Sequence, residues 1–165
     1  MECQIALEDG TTILATPGET LEDIIRRVYP EKYRFFLAAQ LDGEIVDLSS
    51  RVEKDHTVVF FPFGHPEGRR TYVRSLLFLL SYAVSQVLPG KRLRVLHSMS
   101  DGLFCEVEDA EHNLSDLLET IEKVMRETIA QDLPIEREVV NWEKAIHIYT
   151  RRGREDVIRL FRYLR

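Results

Sequence analysis

Cysteine is scarce in this chain: Cys3 and Cys105 are the only two, and they share no metal-type spacing. That excludes a disulfide framework and a zinc ribbon, and it fits a reduced, cytoplasmic setting. Long apolar runs are missing too. A run such as Leu76 to Leu80 is far too short to cross a bilayer and is followed by Ser81 and Tyr82. The opening MECQIALEDG carries neither the basic region nor the apolar core of a signal peptide. There is no excess of positive charge, since the formal net charge is −6. Strong nonspecific nucleic-acid binding needs many phosphate-neutralising cations, so it is disfavoured. No GxxxxGK[ST] occurs, so the chain cannot cradle a triphosphate in that way.

What is present suits a folded protein, with 44% hydrophobic and 30% charged residues over 165 positions. That length holds one ordinary domain or two small ones. Charge is uneven. Residues 1–65 hold 6 Lys/Arg against 12 Asp/Glu, whereas residues 66–165 hold 16 of each. Within the second part, Arg151, Arg152, Arg154, Arg159, Arg162 and Arg165 gather at the end.

The first 63 residues read as a compact β-rich module. CQIALE (3–8) alternates as a strand, Asp9-Gly10 makes a hairpin turn and TTILAT (11–16) returns. After Pro17-Gly18, Thr20 caps a helix to Tyr29 with Leu21, Ile24, Ile25 and Val28 inward, and Pro30 stops it. FFLAAQL (35–41), the Asp42-Gly43 turn, Glu44-Ile45-Val46 and Thr57 to Phe61 supply three more strands. A hairpin, one helix laid across a sheet and further strands make a β-grasp arrangement. The breaker-rich Gly64 to Gly68 places a boundary at 63/64.

Residues 64–165 read as a second, α+β module. An apolar helix spans 72–90 and stops at Pro89-Gly90. RLRVLHSM (92–99) and LFCEVED (103–109) form a hairpin about Ser100-Asp101-Gly102. Leu117, Leu118, Ile121, Val124, Met125 and Ile129 recur every three or four residues and define one helix face. Pro134 ends that helix, and Ile135, Val139 and Val140 suit an extended segment. A helix over 142–150 carries His147, and another over 155–165 has Val157, Ile158, Leu160, Phe161 and Leu164 on its apolar side.

Candidate chemistry is sparse. His97 and Cys105 flank the second hairpin turn and could face each other, but a nucleophile pair also needs a group to orient the imidazole. A core-facing Cys105 and a strand-edge His97 is the simpler reading. His56 and His65 lie beside turns and His112 before a helix, positions that suit solvated side chains. Glu106 and Glu108 share a strand face, with Asp109 and Glu111 following, and read as a solvated acidic face rather than a paired-acid site. Arg159, Arg162 and Arg165 recur every three residues; with Arg151, Arg152 and Arg154 they could meet an RNA backbone or a nucleotide phosphate. Cations toward a helix C-terminus are also simply favourable.

The first module resembles the TGS domain, a ubiquitin-like module of threonyl-tRNA synthetases, some GTPases and stringent-response enzymes. The similarity rests on DGT (9–11), PGET (17–20) and LDGEIVDLSSRVEKDHTVVFF (41–61). It implies docking of RNA or a small ligand, without catalysis. The long charged helix followed by L-P-I-x-R-E-x-V (133–140) resembles the second N-terminal, editing domain of threonyl-tRNA synthetases. That domain hydrolyses mischarged tRNA.

Anchoring AVSQVLP (83–89) on the family's AVKQLFP puts two editing histidines, four residues apart, at Arg74 and Phe78. Neither offers a lone pair to zinc or a neutral imidazole base, so no metal is expected there. The family's NGFYYDF becomes DGLFCEV (101–107), and its later cysteine and histidine would fall beyond Arg165. The resemblance therefore implies ancestry and fold, with an incomplete editing-like domain whose sheet lacks its closing strands. The helix at 155–165 is expected to cover part of the gap, and a homodimer would be another way to cover it.

NWEKAIHIYTRRGREDVIRLFRYLR (141–165) resembles the region ahead of the kinase half in TGS-containing, uridine-kinase-like (phosphoribulokinase-related) proteins. This implies a noncatalytic binding or regulatory module of a larger nucleotide-handling protein. ATP and Mg would then be cofactors of a following kinase domain, not of this segment. The alternatives are an editing hydrolase working with other residues, and a free-standing RNA-binding protein.

Overall fold

The computed structural model describes residues 2–100, 102–108, 114–133 and 135–163, and its fold is α+β. Contacts divide the chain into two units, Met1–Glu127 and Thr128–Arg165.

The first unit opens with β1 (Cys3–Leu7) and β2 (Thr12–Ala15), antiparallel about the expected turn. Gly10 has φ +83°, a value a glycine takes without a Cβ clash, and its N–H donates to Leu7 O at 3.0 Å. The Asp9 carboxylate accepts from Thr11 N–H at 2.9 Å, which fixes the turn from the other side. Helix α1 (Leu21–Val28) follows, capped by Thr20, whose Oγ1 accepts from Asp23 N–H at 3.1 Å. Two further orphan donors at this helix start, Leu21 N–H and Glu22 N–H, are satisfied by Ser50 O and Leu48 O at 2.9 and 2.8 Å. The loop before the last strand is thereby tied to the helix.

A short 3₁₀ turn, Tyr33–Phe35, leads into β3 (Phe36–Leu41), β4 (Glu44–Val46) and β5 (His56–Pro62). The sheet order is β2-β1-β5-β3-β4, with β1 and β5 parallel and the other pairs antiparallel. It is a β-grasp sheet, the arrangement expected from the hairpins and the single helix. Alternation along β1 sends Cys3, Ile5 and Leu7 to one face, where they meet Leu21 and Ile24 of α1 and Ala39, Val52 and Val58. Each fully buried Ile or Leu here is worth about 1.5–3 kcal/mol.

Helix α2 (Pro66–Val87) starts six residues earlier than its apolar run predicts. The cluster of breakers at 64–68 is its entrance. His65 is the N-cap, its Nδ1 accepting from Glu67 N–H at 3.2 Å, and Pro66 takes the first helical position, where no N–H is needed. Gly68 is buried against the end of β5: a Cβ there would lie 2.0 Å from Pro62 O. The first turn of α2 thus sits on the strand that precedes it.

Strands β6 (Leu93–Met99) and β7 (Gly102–Val107) form a two-stranded antiparallel sheet, and α3 (Leu114–Ala130) follows. Ala83 and Val84 of α2, Val107 of β7 and Ile121 of α3 make a second small core, flanked by Leu80, Leu93, Leu117, Val124 and Met125. Two members of the predicted helix face, Leu118 and Ile129, are instead 59% and 62% exposed. The core is narrower than the apolar stripe.

The second unit contains α4 (Trp142–Arg151) and α5 (Glu155–Tyr163). Asn141 caps α4 through Lys144 N–H at 2.9 Å. Phe161 joins the helices, its ring 5.2 Å from Trp142 and 5.6 Å from Tyr149. The extended segment expected over Ile135–Val140 forms no strand: residues 135–140 have no ladder partner, and Ile135 and Val139 are 70% and 85% exposed. Strand propensity without a partner leaves the backbone irregular. Pro134, Leu164 and Arg165 lie outside the described residues.

Candidate functional site

Helix α2 positions Arg74 and Phe78 one turn apart on the same side, as the i, i+4 spacing requires. Both are exposed, Phe78 at 62%. Two histidines at this spacing could grip one ion or one ester, which Arg74 and Phe78 cannot do. A guanidinium carries only donors, and a phenyl ring has no lone pair. Among the described residues no group of three or more His, Cys, Asp or Glu gathers as a metal-ligating set.

On the second hairpin, a register shift between Val95 and His97 sets Cys105 opposite Val95 and His97 opposite Phe104. The His97 ring stacks on Phe104 at 5.1 Å between centroids. Cys105 is half-buried and its Sγ lies 3.9 Å from Leu103 O. The bulge therefore separates the two groups a nucleophile pair would need together. Glu108 is engaged by Arg94 Nε at 2.7 Å, whereas Glu106, opposite Arg94 in the ladder, is exposed. Asp109, Glu111 and His112 lie outside the described residues.

The C-terminal arginines are not equivalent. Arg154 is held by Asp156, with Nε 3.0 Å from Oδ1 and Nη2 2.9 Å from Oδ2, a forked pair at the start of α5. Arg159 faces Glu155 at 3.8 Å across one turn. Arg151 ends α4, Arg152 is its C-cap and Arg162 lies in the last turn of α5; all three are exposed. Of the six arginines singled out, Arg165 lies outside the described residues, and among the other five these three offer the most open charge.

His56 differs from the solvated residue its turn-side position suggests. Its side chain is only 9% exposed, and Nδ1 lies 2.7 Å from Asp42 Oδ2 in the β3–β4 turn. Asp42 also accepts Thr57 N–H at 2.8 Å. The Thr57 amide first, and the His56 ring second, hold its carboxyl below the usual 3.8. A pairing across 14 residues leaves no local trace in the sequence. His65 is exposed as expected, but its ring stacks on Phe61 at 4.2 Å. His147 is exposed on α4.

A β-grasp sheet, then a long helix, a hairpin and a second amphipathic helix, is the order of elements that the resemblance to the N-terminal region of threonyl-tRNA synthetases implies. Comparison with known proteins agrees. The chain is 32% identical over 145 residues to the threonine–tRNA ligase of Rubrobacter xylanophilus, covering 88% of this chain and 23% of that protein. It is 28% identical over 151 residues to that of Symbiobacterium thermophilum (92% and 23%) and 30% identical over 145 residues to that of Nitrosomonas eutropha (88% and 23%). No family model matches. The chain thus spans under a quarter of the length of these relatives and is similar to a threonyl-tRNA synthetase N-terminal region. No helix among the described residues is long and apolar enough to cross a membrane.

Proposed function

We propose that residues 1–165 act as a noncatalytic binding and regulatory module, built as a TGS-like part (1–63) and an editing-like part (64–165), that presents RNA or a nucleotide to a larger protein. The observation that carries this reading is the exposed pair Arg74 and Phe78, at the helix positions where the resembling family holds its histidines. With those side chains the surface can contact a phosphate or stack on a base, but cannot activate water. In the second unit, taken by itself, Arg151, Arg152 and Arg162 are open cations, while Arg159 and Arg154 face Glu155 and Asp156. The relatives are tRNA ligases, which makes tRNA the first partner to try.

The test is a tRNA binding titration at several salt concentrations, beside hydrolysis of a mischarged tRNA with and without zinc. Binding without hydrolysis is expected, and zinc should change nothing. Each arginine that meets a phosphate should lower the slope of log K against log salt by about 1 when replaced by Gln. Zinc-dependent deacylation would defeat the proposal in favour of an editing hydrolase.

A kinase-related parent is the finer reading of segment 141–165, and it rests on that segment's likeness alone, the relatives named above being ligases. Its test is the coding sequence downstream of Arg165. A GxxxxGK[ST] between strand and helix supports it, and a synthetase catalytic domain there would refute it.

A further inference from the structure

The β-grasp part carries a cleft of about 290 Å³ that no role above uses, lined by Leu7, Glu8, Asp9, Tyr29, Phe36, Val58 and Phe60. Its floor is apolar, with Leu7 and Val58 buried. Three aromatic rings run along it as a bent wall. Tyr29 and Phe36 are 5.6 Å apart at 37°, and Phe36 and Phe60 are 5.9 Å apart at 59°. Among the described residues, the charged residues lining it are Glu8 and Asp9, and none of the lining residues is basic.

Those carboxylates are differently placed. Asp9 accepts the Thr11 amide at 2.9 Å, and the hydrogen bonds from Thr11, its backbone first, keep the carboxyl ionised below its usual range. Burial first, and then the Asp9 charge, raise the Tyr29 phenol, so the ring stays neutral. Glu8 is exposed, and among the described residues it has no recorded hydrogen bond or ion pair.

We propose that this cleft binds an organic cation, an alkylguanidinium or alkylammonium group whose stem lies along the aromatic wall and whose head meets Glu8 and Asp9. A cation is drawn to aromatic rings by their quadrupole, and a carboxylate at the rim strengthens the attraction. Phosphate-bearing ligands are repelled by the same pair, so this site is distinct in charge from the arginines near the C-terminus. The same cationic group is carried by a free organic amine and by a basic side chain of a polypeptide. The experiment separates the two sources.

Butylguanidine, its uncharged isostere butylurea, uridine monophosphate and an arginine blocked at both termini are titrated into the full chain, followed by NMR of the aromatic side chains. Butylguanidine is expected to shift Tyr29, Phe36 and Phe60, with a response that weakens as salt is raised. Butylurea and the nucleotide should leave those signals in place. The Glu8→Gln, Asp9→Asn double variant keeps the acceptors of the turn and should bind roughly tenfold more weakly, the worth of two exposed ion pairs. Binding of butylguanidine alone assigns a free amine, and binding of the blocked arginine as well assigns a basic side chain. Equal response to butylurea, or no response to either cation, overturns the proposal. Those comparisons use the unaltered protein, so they stand even if the double variant fails to fold.

Discussion

Replacing Gly68 with Ala tests how α2 is joined to the β-grasp sheet. Intrinsic propensity favours the change, because Ala in a helix is better than Gly by about 1 kcal/mol. Packing opposes it. The new Cβ would lie 2.0 Å from Pro62 O, 2.6 Å from Pro62 C and 2.9 Å from Phe61 O, all backbone atoms that cannot rotate aside. Restoring ordinary contact means parting helix and strand by roughly 1.4 Å. Pro62 O also accepts His65 N–H at 2.9 Å, so the movement would strain the N-cap as well. Overpacking costs about 1–3 kcal/mol and more when only backbone can yield. Net destabilisation of about 1–2 kcal/mol is expected, a fall in Tm of roughly 2–8 °C for a chain of this size. Urea and thermal unfolding of Gly68→Ala should be read beside Ser75→Ala, an exposed position on the same helix that should be neutral or slightly stabilising. If Gly68→Ala were stabilised as propensity alone predicts, the close approach of α2 to β5 would be wrong.

Three other outcomes are expected. Thr20→Ala removes the acceptor for Asp23 N–H and should cost about 1 kcal/mol, measured by urea unfolding. Asp42 has its folded pKa lowered, so its contribution is fully present above the ordinary value of 3.8 and is lost as pH falls through the lower folded value. Asp42→Asn should accordingly flatten the acid limb of the stability profile without changing its shape near neutrality, and an unaltered acid limb would discount the Thr57 and His56 contacts. Phe161→Ala should loosen α4 from α5, shifting the emission of Trp142, the single tryptophan, toward that of a solvated indole.

Local chemistry was legible and distant pairing was not. Asp9-Gly10 and Asp42-Gly43 announce their hairpins because positive φ is needed there, and Thr20 announces a helix start because its side chain serves the next turn. The same logic misread Gly64 to Gly68. Pro66 and Gly68 look like breakers, yet one is tolerated in a first helical turn and the other is demanded by a neighbouring strand. Ile135 to Val140 has strand-forming residues, but a strand also needs a partner, which no window of sequence contains. His56 became informative only once folding brought Asp42 beside it. At the candidate site, the run of C-terminal arginines was readable, whereas the pairing of Arg154 with Asp156, which separates it from the open arginines, was not.

The place of β5 in the sheet sets an order of assembly on the ribosome. It lies between β1 and β3, although it is the last of the five strands to be made. The β1–β2 hairpin and the β3–β4 hairpin can each close soon after they emerge, but they cannot join each other without it. At about 5–20 residues per second, roughly 3–11 s separate the synthesis of Leu7 from that of Pro62. Through that interval Ile5 and Leu7 have only α1 to cover them, and the inner edges of both hairpins stay unpaired. A nascent chain in which β5 has not yet docked therefore presents two open ribbons to its neighbours and to chaperones, and the seven residues of β5 join them into one continuous sheet.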